Sequence, residues 1–264
     1  MRATRQLTDD EGFPVRLGEV RRVVSLVPSL TEAVAASAPG LLVGATDWCT
    51  HPADLDAPRI GGTKNPDVER IVTLRPDLVI VNEEENRAPD LDALRAAGAA
   101  VWTTRIRNLD QALDSLRRLL VDACQLTEPD WLLSARAAWG RVPAPAAQVR
   151  AVAPIWRRPW MVLGADTFAA DLLRRLGVTV VTAGHPGRYP RVPLPELLAA
   201  DAELLALPDE PYRFTAADGP EAFPGLPYAL LSGRHLTWYG PSLAEAPAVL
   251  AGQLGERRSG GPVM

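Results

Sequence analysis

Residues 22–32 read RVVSLVPSLTE and indicate the fold class more clearly than any other stretch of the chain. The apolar run from Arg22 to Val27 suits a short buried strand, and Pro28 and Ser29 follow it directly. Ser29 is predicted to be the N-cap of a helix, and Glu32, three residues later, completes the pattern of a capping box. The stretch therefore predicts a buried strand that leads at once into a helix.

Strand and helix patterns alternate outward from this stretch. Further strands are predicted over residues 41–45, 77–81 and 100–103, and helices over 68–74 and 89–97. In the run Asn65-Pro66-Asp67, Asn65 is predicted to be the helix N-cap, because proline favours the first helical position and aspartate favours the first turn. Strands that alternate with short helices indicate a parallel sheet.

The second half of the chain repeats this order after two amphipathic helices. The first covers residues 109–121, and the second is predicted to begin at a Thr127 cap and to end near Gly140. Beyond a Pro- and Ala-rich stretch come a strand at 161–164, a helix at 168–176, a strand at 178–182, a helix from Pro193 and a strand at 204–207.

The prediction is an α/β fold of two Rossmann-like lobes with parallel sheets, joined by a rigid inter-lobe helix. The N-terminal lobe spans residues 1–123 and includes a short hairpin at 4–18. The linking helix and junction span 124–148, and the C-terminal lobe spans 149–264. Two similar lobes imply a cleft between them, and such clefts are common sites for small ligands.

Charge and composition narrow the class of function. The chain of 264 residues has a net charge of −4, which gives no support to nucleic-acid binding. It has two cysteines, Cys49 and Cys124, which are expected to be free thiols. The N-terminus is polar, without the apolar core of a signal peptide, so a cytoplasmic location is expected for the chain as written. A mis-assigned start site would instead allow a periplasmic or cell-surface location.

Aromatic and arginine side chains gather in the predicted loops that follow the strands. Open parallel sheets place ligands beyond the carboxyl ends of their strands, and aromatic rings beside guanidinium groups suit a large planar or anionic ligand. Core packing is the alternative for the tryptophans, and a solvated surface position is the alternative for His51. The predicted ligand-binding residues are Trp48, His51, Trp156, Arg157, Trp160, Arg188, Tyr189, Trp238 and Tyr239.

The sequence carries no catalytic motif. It has no Gly-x-Ser-x-Gly elbow, phosphate loop, zinc-protease motif or dinucleotide fingerprint. The run Glu83–Glu85 reads better as an acidic turn than as catalytic carboxylates. The pair Cys49 and His51 is a weak metal signal without further ligands. We expect no enzyme activity, no cofactor and no metal site.

Several of these stretches resemble the binding proteins of cobalamin and iron-siderophore ABC importers, the helical-backbone (class III) periplasmic-binding-protein family. The resemblance covers nearly the whole chain. It is most specific over RVVSLVPSLTE, VGATDW (residues 43–48) and ERIVTLRPDLVIV (residues 69–81), and looser over PIWRRPWM (154–161) and LTWYGP (236–241). It implies a ligand of corrinoid, haem or ferric-siderophore size and a stiff helix between the lobes.

The resemblance also implies roles for single residues. Trp48 matches a position where cobalamin binders carry an aromatic ring, whereas Thr63 stands where they carry a second one. Glu69 matches a carboxylate that docks onto the permease. In the second half Pro195 occupies the corresponding place, and Glu196, one residue later, is the docking candidate.

Three functions follow as hypotheses. The first is the substrate-binding protein of an ABC importer, a monomer with a small-molecule ligand and an ABC permease as partners. The second is a cytosolic protein of the same fold that binds or hands on a metallocofactor without a permease. The third is a chelatase-like enzyme, which would need His51, His185 or the Glu83–Glu85 run to act together.

Overall fold

The computed structural model describes residues 4–258, which divide into two compact units. Unit 1 runs to Ile106 and also contains residues 111–134 and 239–241. Unit 2 contains residues 107–110, 135–238 and the chain from Ser242 onward. The three-part division at residues 123 and 148 stays a prediction.

Unit 1 is built on a four-stranded parallel sheet with helices between its strands. Its elements are β1 (Arg5–Thr8), β2 (Pro14–Leu17), β3 (Val23–Ser25), α1 (Pro28–Ser37), β4 (Leu42–Ala45), β5 (Gly61–Gly62), β6 (Asn65–Pro66), α2 (Val68–Thr73), β7 (Leu78–Asn82), α3 (Ala88–Ala96) and β8 (Val101–Thr104). The strand order in the sheet is β4-β3-β7-β8, and every pair is parallel. β1 and β2 form the hairpin predicted at residues 4–18.

Branched apolar residues of the strands and helices fill the core of unit 1. One cluster joins Val24 of β3 and Val79 of β7 to Ile71 of α2 and Leu94 of α3, all fully buried. Each such side chain contributes about 1.5–3 kcal/mol when it leaves water. The strands are buried on both faces, which is why they read as continuous apolar runs in the sequence.

The start of α1 differs from the prediction. Val27 is the N-cap and Pro28 is the first helical residue, so Ser29 lies inside the helix and cannot cap it. Its buried hydroxyl has no hydrogen-bond partner among the described residues. Proline suits the first helical position because its fixed φ matches the helix and its missing N–H would be unpaired there in any case. The capping box at Ser29 and Glu32 is therefore wrong.

The start of α2 is also two residues later than predicted. Asp67 is the N-cap, and its Oδ1 accepts a hydrogen bond of 2.9 Å from the N–H of Arg70. Asn65 and Pro66 instead form β6, which pairs antiparallel with β5. The prediction of Asn65 as the cap is wrong, because a carboxylate at residue 67 can satisfy the first-turn amide while residue 65 pairs with Gly62.

Two helices connect the predicted halves. α4 (Leu109–Arg117) continues into a π-helical turn, Arg118–Ala123, and α5 spans Asp130–Gly140. The predicted cap at Thr127 is wrong, because α5 begins only after Pro129, whose carbonyl accepts from the N–H of Leu132 at 2.9 Å. The chain passes from unit 1 to unit 2 within α5.

Unit 2 repeats the plan of unit 1 with a second four-stranded parallel sheet. Its elements are β9 (Val149–Val152), β10 (Pro154–Trp156), β11 (Met161–Val162), α6 (Phe168–Arg175), β12 (Val178–Val180), α7 (Leu194–Ala199), β13 (Leu204–Pro208), β14 (Tyr228–Leu231), α8 (Gly233–Thr237) and α9 (Ala246–Gly255), with 3₁₀ turns at Pro220–Ala222 and Pro241–Ala244. The order is β12-β9-β13-β14. The predicted α/β class with two parallel sheets is confirmed.

One strand of unit 2 has a different role from the predicted one. Residues 161–164 were expected to start the second sheet, but β11 pairs antiparallel with β10 outside it. β9 takes the place in the sheet instead, between β12 and β13. The Thr167 side chain accepts from the N–H of Ala170 and caps α6, in agreement with the prediction for that helix.

No helix among residues 4–258 combines the length and the apolar character needed to cross a membrane.

Candidate functional site

Trp48 stands on the loop that follows β4, at the carboxyl edge of the unit 1 sheet. Its side chain is 66% exposed, which is unusual for tryptophan. Gly62 lies under the ring, where a Cβ atom would come within 2.5 Å of Asn65 Oδ1 and 3.3 Å of Trp48 Nε1. The sequence therefore leaves one face of a large aromatic side chain open to solvent at the edge where parallel sheets bind ligands.

The loop under Trp48 is held by polar contacts. The buried Cys49 thiol lies 3.0 Å from Thr31 Oγ1 and 3.2 Å from Thr46 Oγ1. Arg59 donates to the carbonyls of Thr46 and Cys49 at 2.9 and 2.8 Å. Burial raises the pKa of the Cys49 thiol, so it stays protonated. These contacts fix the loop while Trp48 remains free.

The acidic turn after β7 is tied to its neighbours through an asparagine. Asn86 is buried, and its Nδ2 donates to the carbonyls of Leu26 and Thr63 at 3.2 and 2.9 Å. Its Oδ1 accepts from the N–H of Asn82. Asn86 thus joins three loops at the carboxyl edge. Asn86 was not among the predicted ligand residues, although its place shortly after a buried strand is a signal for such a role.

Glu85 of this turn has a carboxyl group that burial perturbs. Burial raises its pKa from 4.5 to about 7, and the charge of Lys64 opposes the rise. Lys64 donates to the carbonyl of Glu84, and burial lowers the pKa of its ammonium group. A carboxyl that titrates near neutral pH beside a lysine makes the charge of this edge dependent on pH.

The histidines are each engaged in local contacts. His51 Nδ1 lies 3.1 Å from Thr50 Oγ1, and His185 Nδ1 accepts from the N–H of Gly187 at 2.9 Å. His235 contacts Ser232 and Glu245. Across residues 4–258 no group of three or more His, Cys, Asp and Glu side chains is arranged to hold a metal ion.

Arg157 anchors the carboxyl edge of unit 2. Its guanidinium group forms ion pairs with Asp218 and Glu221, and its side chain is only 13% exposed. The hydroxyl of Tyr212 donates to Asp218 Oδ2 at 2.6 Å. This hydrogen bond holds the pKa of the Asp218 carboxyl below its ordinary value and raises that of Tyr212. The charge of Arg157 is therefore already balanced within unit 2.

Aromatic rings surround this ion-pair network. Trp160 stacks on Phe214 with 6.1 Å between ring centroids and meets Phe223 edge-on at 5.3 Å. Trp156 contacts Tyr212 edge-on at 5.7 Å and keeps 44% of its surface exposed. Trp156 thus offers an open ring, whereas Trp160 is partly buried against the aromatic cluster.

The remaining predicted ligand residues of unit 2 lie on two other loops. Arg188 Nε donates to the carbonyl of Asp166 at 2.9 Å, and its guanidinium carbon lies 5.7 Å from the ring centroid of Tyr189. Trp238 Nε1 donates to Glu210 Oε2 at 2.9 Å.

Of the predicted pair Trp238 and Tyr239, the tyrosine is much the more deeply placed. Tyr239, which belongs to unit 1, is only 6% exposed.

Glu69 and Glu196 are both exposed in the first turns of short helices. Glu69 is the second residue of α2, whereas the second residue of α7 is Pro195 and Glu196 is the third. Neighbouring helical residues point about 100° apart, from 3.6 residues per turn. The two carboxylates therefore leave their helices in different directions relative to the helix start.

The chain has detectable sequence similarity to proteins that are named as binding proteins. It is 31% identical to the vitamin B12-binding protein of Vibrio cholerae over 100 residues, which are 37% of this chain and 36% of the relative. It is 35% identical to the uncharacterised ABC transporter substrate-binding lipoprotein YvrC of Bacillus subtilis over 88 residues, 32% of this chain and 28% of that protein. The matched segments thus span about a third of the curated relatives. No family model matches the chain.

Solved structures share the fold over almost the whole chain. The periplasmic vitamin B12-binding protein BtuF of Vibrio cholerae superposes with a TM-score of 0.69 at 18% identity, over 89% of this chain and 97% of that one. A periplasmic haem-binding protein of Pseudomonas aeruginosa gives 0.73 at 23% identity, over 91% and 95%. The two-sheet α/β fold that the resemblance implied is therefore confirmed.

Both four-stranded sheets of this fold are parallel, so the loops that follow their strands gather at the carboxyl edge of each sheet. These relatives and structures are named as binding proteins, which is consistent with the expectation that this chain is not an enzyme. Their names describe periplasmic proteins and a lipoprotein, and a cytoplasmic location finds no support among them.

Proposed function

We propose that this protein is the substrate-binding component of an ABC importer and that its ligand is a corrinoid, a haem or a ferric siderophore. The observation that carries the proposal is an exposed tryptophan at the carboxyl edge of each parallel sheet, Trp48 in unit 1 and Trp156 in unit 2. Exposed tryptophans at these edges supply flat apolar area at low entropic cost, which suits a large ring ligand.

Charged and polar groups beside the rings would hold the edge of such a ligand. Arg188 lies next to Tyr189, and His51 belongs to the same loop as Trp48. Arg157 would act indirectly, because its ion pairs with Asp218 and Glu221 fix the segment that carries Trp156. Arginine is suited to this role because its planar group can bind two carboxylates at once.

The permease is the proposed protein partner, and Glu69 and Glu196 are the proposed docking residues. Both carboxylates are exposed on short helices at comparable places in the two units. The named relatives include an ABC transporter substrate-binding lipoprotein, which supports a permease partner and a location outside the cytoplasm. Pro195 at the position equivalent to Glu69 predicts that Glu196 contributes less than Glu69 does.

Calorimetric titration of the purified protein with cyanocobalamin, haemin and a ferric hydroxamate siderophore tests the proposal. Saturable 1:1 binding of one of these in the micromolar range or tighter, about −8 kcal/mol or better, is the expected result. Binding of none of the three would contradict the proposed ligand class. A second assay measures ligand transport into vesicles that contain a candidate permease. If the protein binds a ligand but does not stimulate this transport, the ligand class is supported and the importer role is rejected.

A further inference from the structure

A groove lined by apolar and arginine side chains lies in unit 1, away from the loops that carry the proposed ligand residues. It has a volume of about 530 Å³ and runs between the β1–β2 hairpin and the segment Gly98–Val101 that leads into β8. The proposed ligand residues follow the carboxyl ends of strands, whereas this groove lies at the amino end of β8. Its volume is in the range of pockets that bind ligands, roughly 300–1,000 Å³.

Phe13 makes the groove apolar and is held in place by the hairpin turn. Its ring is 46% exposed, and it is one of the few large apolar side chains left open on the described surface. Its N–H donates to Asp9 Oδ1 at 2.8 Å, and Asp9 Oδ2 accepts from the N–H of Thr103 at 3.2 Å. The backbone of Phe13 is therefore fixed against β8, and its exposure is built into the turn.

Two arginines give the groove a positive charge. Arg16 of β2 is exposed, and the guanidinium carbon of Arg95 lies 4.4 Å from the centroid of the Phe13 ring. Arg95 also donates to Thr103 Oγ1 at 3.1 Å and forms an ion pair of 3.4 Å with the exposed Asp92 of α3, so Arg16 supplies most of the positive charge of the groove. Within the described part of the chain the groove wall contains no Asp or Glu, although the protein as a whole carries a charge of −4. The groove is thus electrostatically complementary to an acidic group.

The edge of β8 forms one side of the groove. β8 is an outer strand of the sheet, and the hairpin turn covers its free side at Thr103, where Asp10 N–H donates to the carbonyl at 3.1 Å. The alternation of a strand directs the main-chain groups of Val101 to this same side. Val101 forms part of the groove wall. Val101 is only 3% exposed, so β8 closes this side of the groove and leaves binding to the side chains of the wall.

We infer that this groove is a docking site for an extended acidic peptide segment of a partner protein. Carboxylates of the segment bind Arg16 and Arg95, and an apolar side chain packs on Phe13. The concave shape favours a peptide over a flat membrane surface. The inference does not depend on the identity of the small-molecule ligand.

Fluorescence anisotropy with a labelled model peptide tests the inference. The probe is a short peptide in which Glu and Val alternate around a central Phe, and the comparison peptide carries Lys in place of Glu. The full-length protein is expected to bind the Glu peptide and not the Lys peptide. Arg16→Glu is expected to weaken binding about tenfold, or ~1.4 kcal/mol. Phe13→Ala, which keeps the charges, is expected to weaken it as well.

Arg141→Glu is the matched control, because Arg141 is an exposed arginine outside the groove, and it is expected to change the affinity less than about twofold. Equal binding of both peptides, no binding of the Glu peptide, or no effect of Arg16→Glu would overturn the inference. Binding to phosphatidylglycerol vesicles that is lost in Arg16→Glu, without peptide binding, would also overturn it and assign the groove to lipid.

Discussion

Tyr212 donates a hydrogen bond of 2.6 Å from its hydroxyl to Oδ2 of Asp218, while Oδ1 of the same carboxylate pairs with Arg157. Asp218 thereby holds two side chains from different segments of unit 2. Tyr212 contacts the exposed Trp156, so the carboxylate fixes the surroundings of a proposed ligand residue.

Replacing Asp218 should loosen this arrangement. Asp218→Asn is expected to lower the free energy of unfolding by about 1 kcal/mol, at the low end for hydrogen bonds to charged groups because Asp218 is partly exposed. The phenol of Tyr212 should also titrate at lower pH, measured by ultraviolet absorbance. Asp201→Asn is the control, since Asp201 is 91% exposed and 3.9 Å from Arg150. Equal effects of the two variants would contradict the anchoring role.

Replacing the exposed Trp48 should weaken ligand binding and leave the free energy of unfolding almost unchanged. Because Trp48 is 66% exposed, Trp48→Ala is expected to change the free energy of unfolding by no more than about 0.5 kcal/mol. It should weaken binding of the ligand identified by titration about tenfold or more, as measured by calorimetry. Trp131→Phe serves as a control for the loss of a tryptophan outside the site. A ligand affinity in Trp48→Ala within about twofold of the parent would reject the stacking role.

Glu85 should make the free energy of unfolding depend on pH. Its pKa in the folded state is raised from 4.5 to about 7, so the fold binds its proton more tightly than the unfolded chain does. The stability contributed by this group is fully present below about pH 4.5 and is lost as the pH rises to about 7.

Glu85→Gln removes this pH-dependent contribution to the free energy of unfolding. The stability of the variant relative to the parent is therefore expected to increase between about pH 5 and about pH 8, measured by urea denaturation. Glu11→Gln, at an exposed turn position, is the control and should show no such trend. A pH-independent difference between Glu85→Gln and the parent would show that Glu85 ionises with its ordinary pKa.

The cap of α2 offers a direct test of the helix start. Asp67→Ala should destabilise the protein by about 1 kcal/mol, because the N–H of Arg70 loses its acceptor. Asn65→Ala should cost less, since Asn65 lies outside the helix in β6. Thermal denaturation of both variants measures the difference. A larger loss for Asn65→Ala would instead support the cap predicted from the sequence.

Local sequence signals located most elements but misplaced several of their ends. The runs at 23–27, 77–81 and 204–207 were placed correctly because strands buried on both faces are continuously apolar. Caps were less predictable, because Ser29 and Asn65 are good capping residues that the chain uses differently. The strand β9 was not predicted because its neighbours are rich in Pro and Ala. Residues 161–164 are equally apolar and were predicted to be the strand instead.

The sequence by itself determined the α/β class, the two parallel sheets and the loop that carries Trp48, because these follow from periodicity within short segments. Only the tertiary structure decided that Trp156 lies in β10 and which partners the predicted ligand residues contact. Arg157, predicted to bind the ligand, pairs with Asp218, which lies 61 residues away, and Trp160 packs against Phe214 and Phe223. Partners so distant in sequence are chosen by the packing of whole elements, which no local pattern encodes.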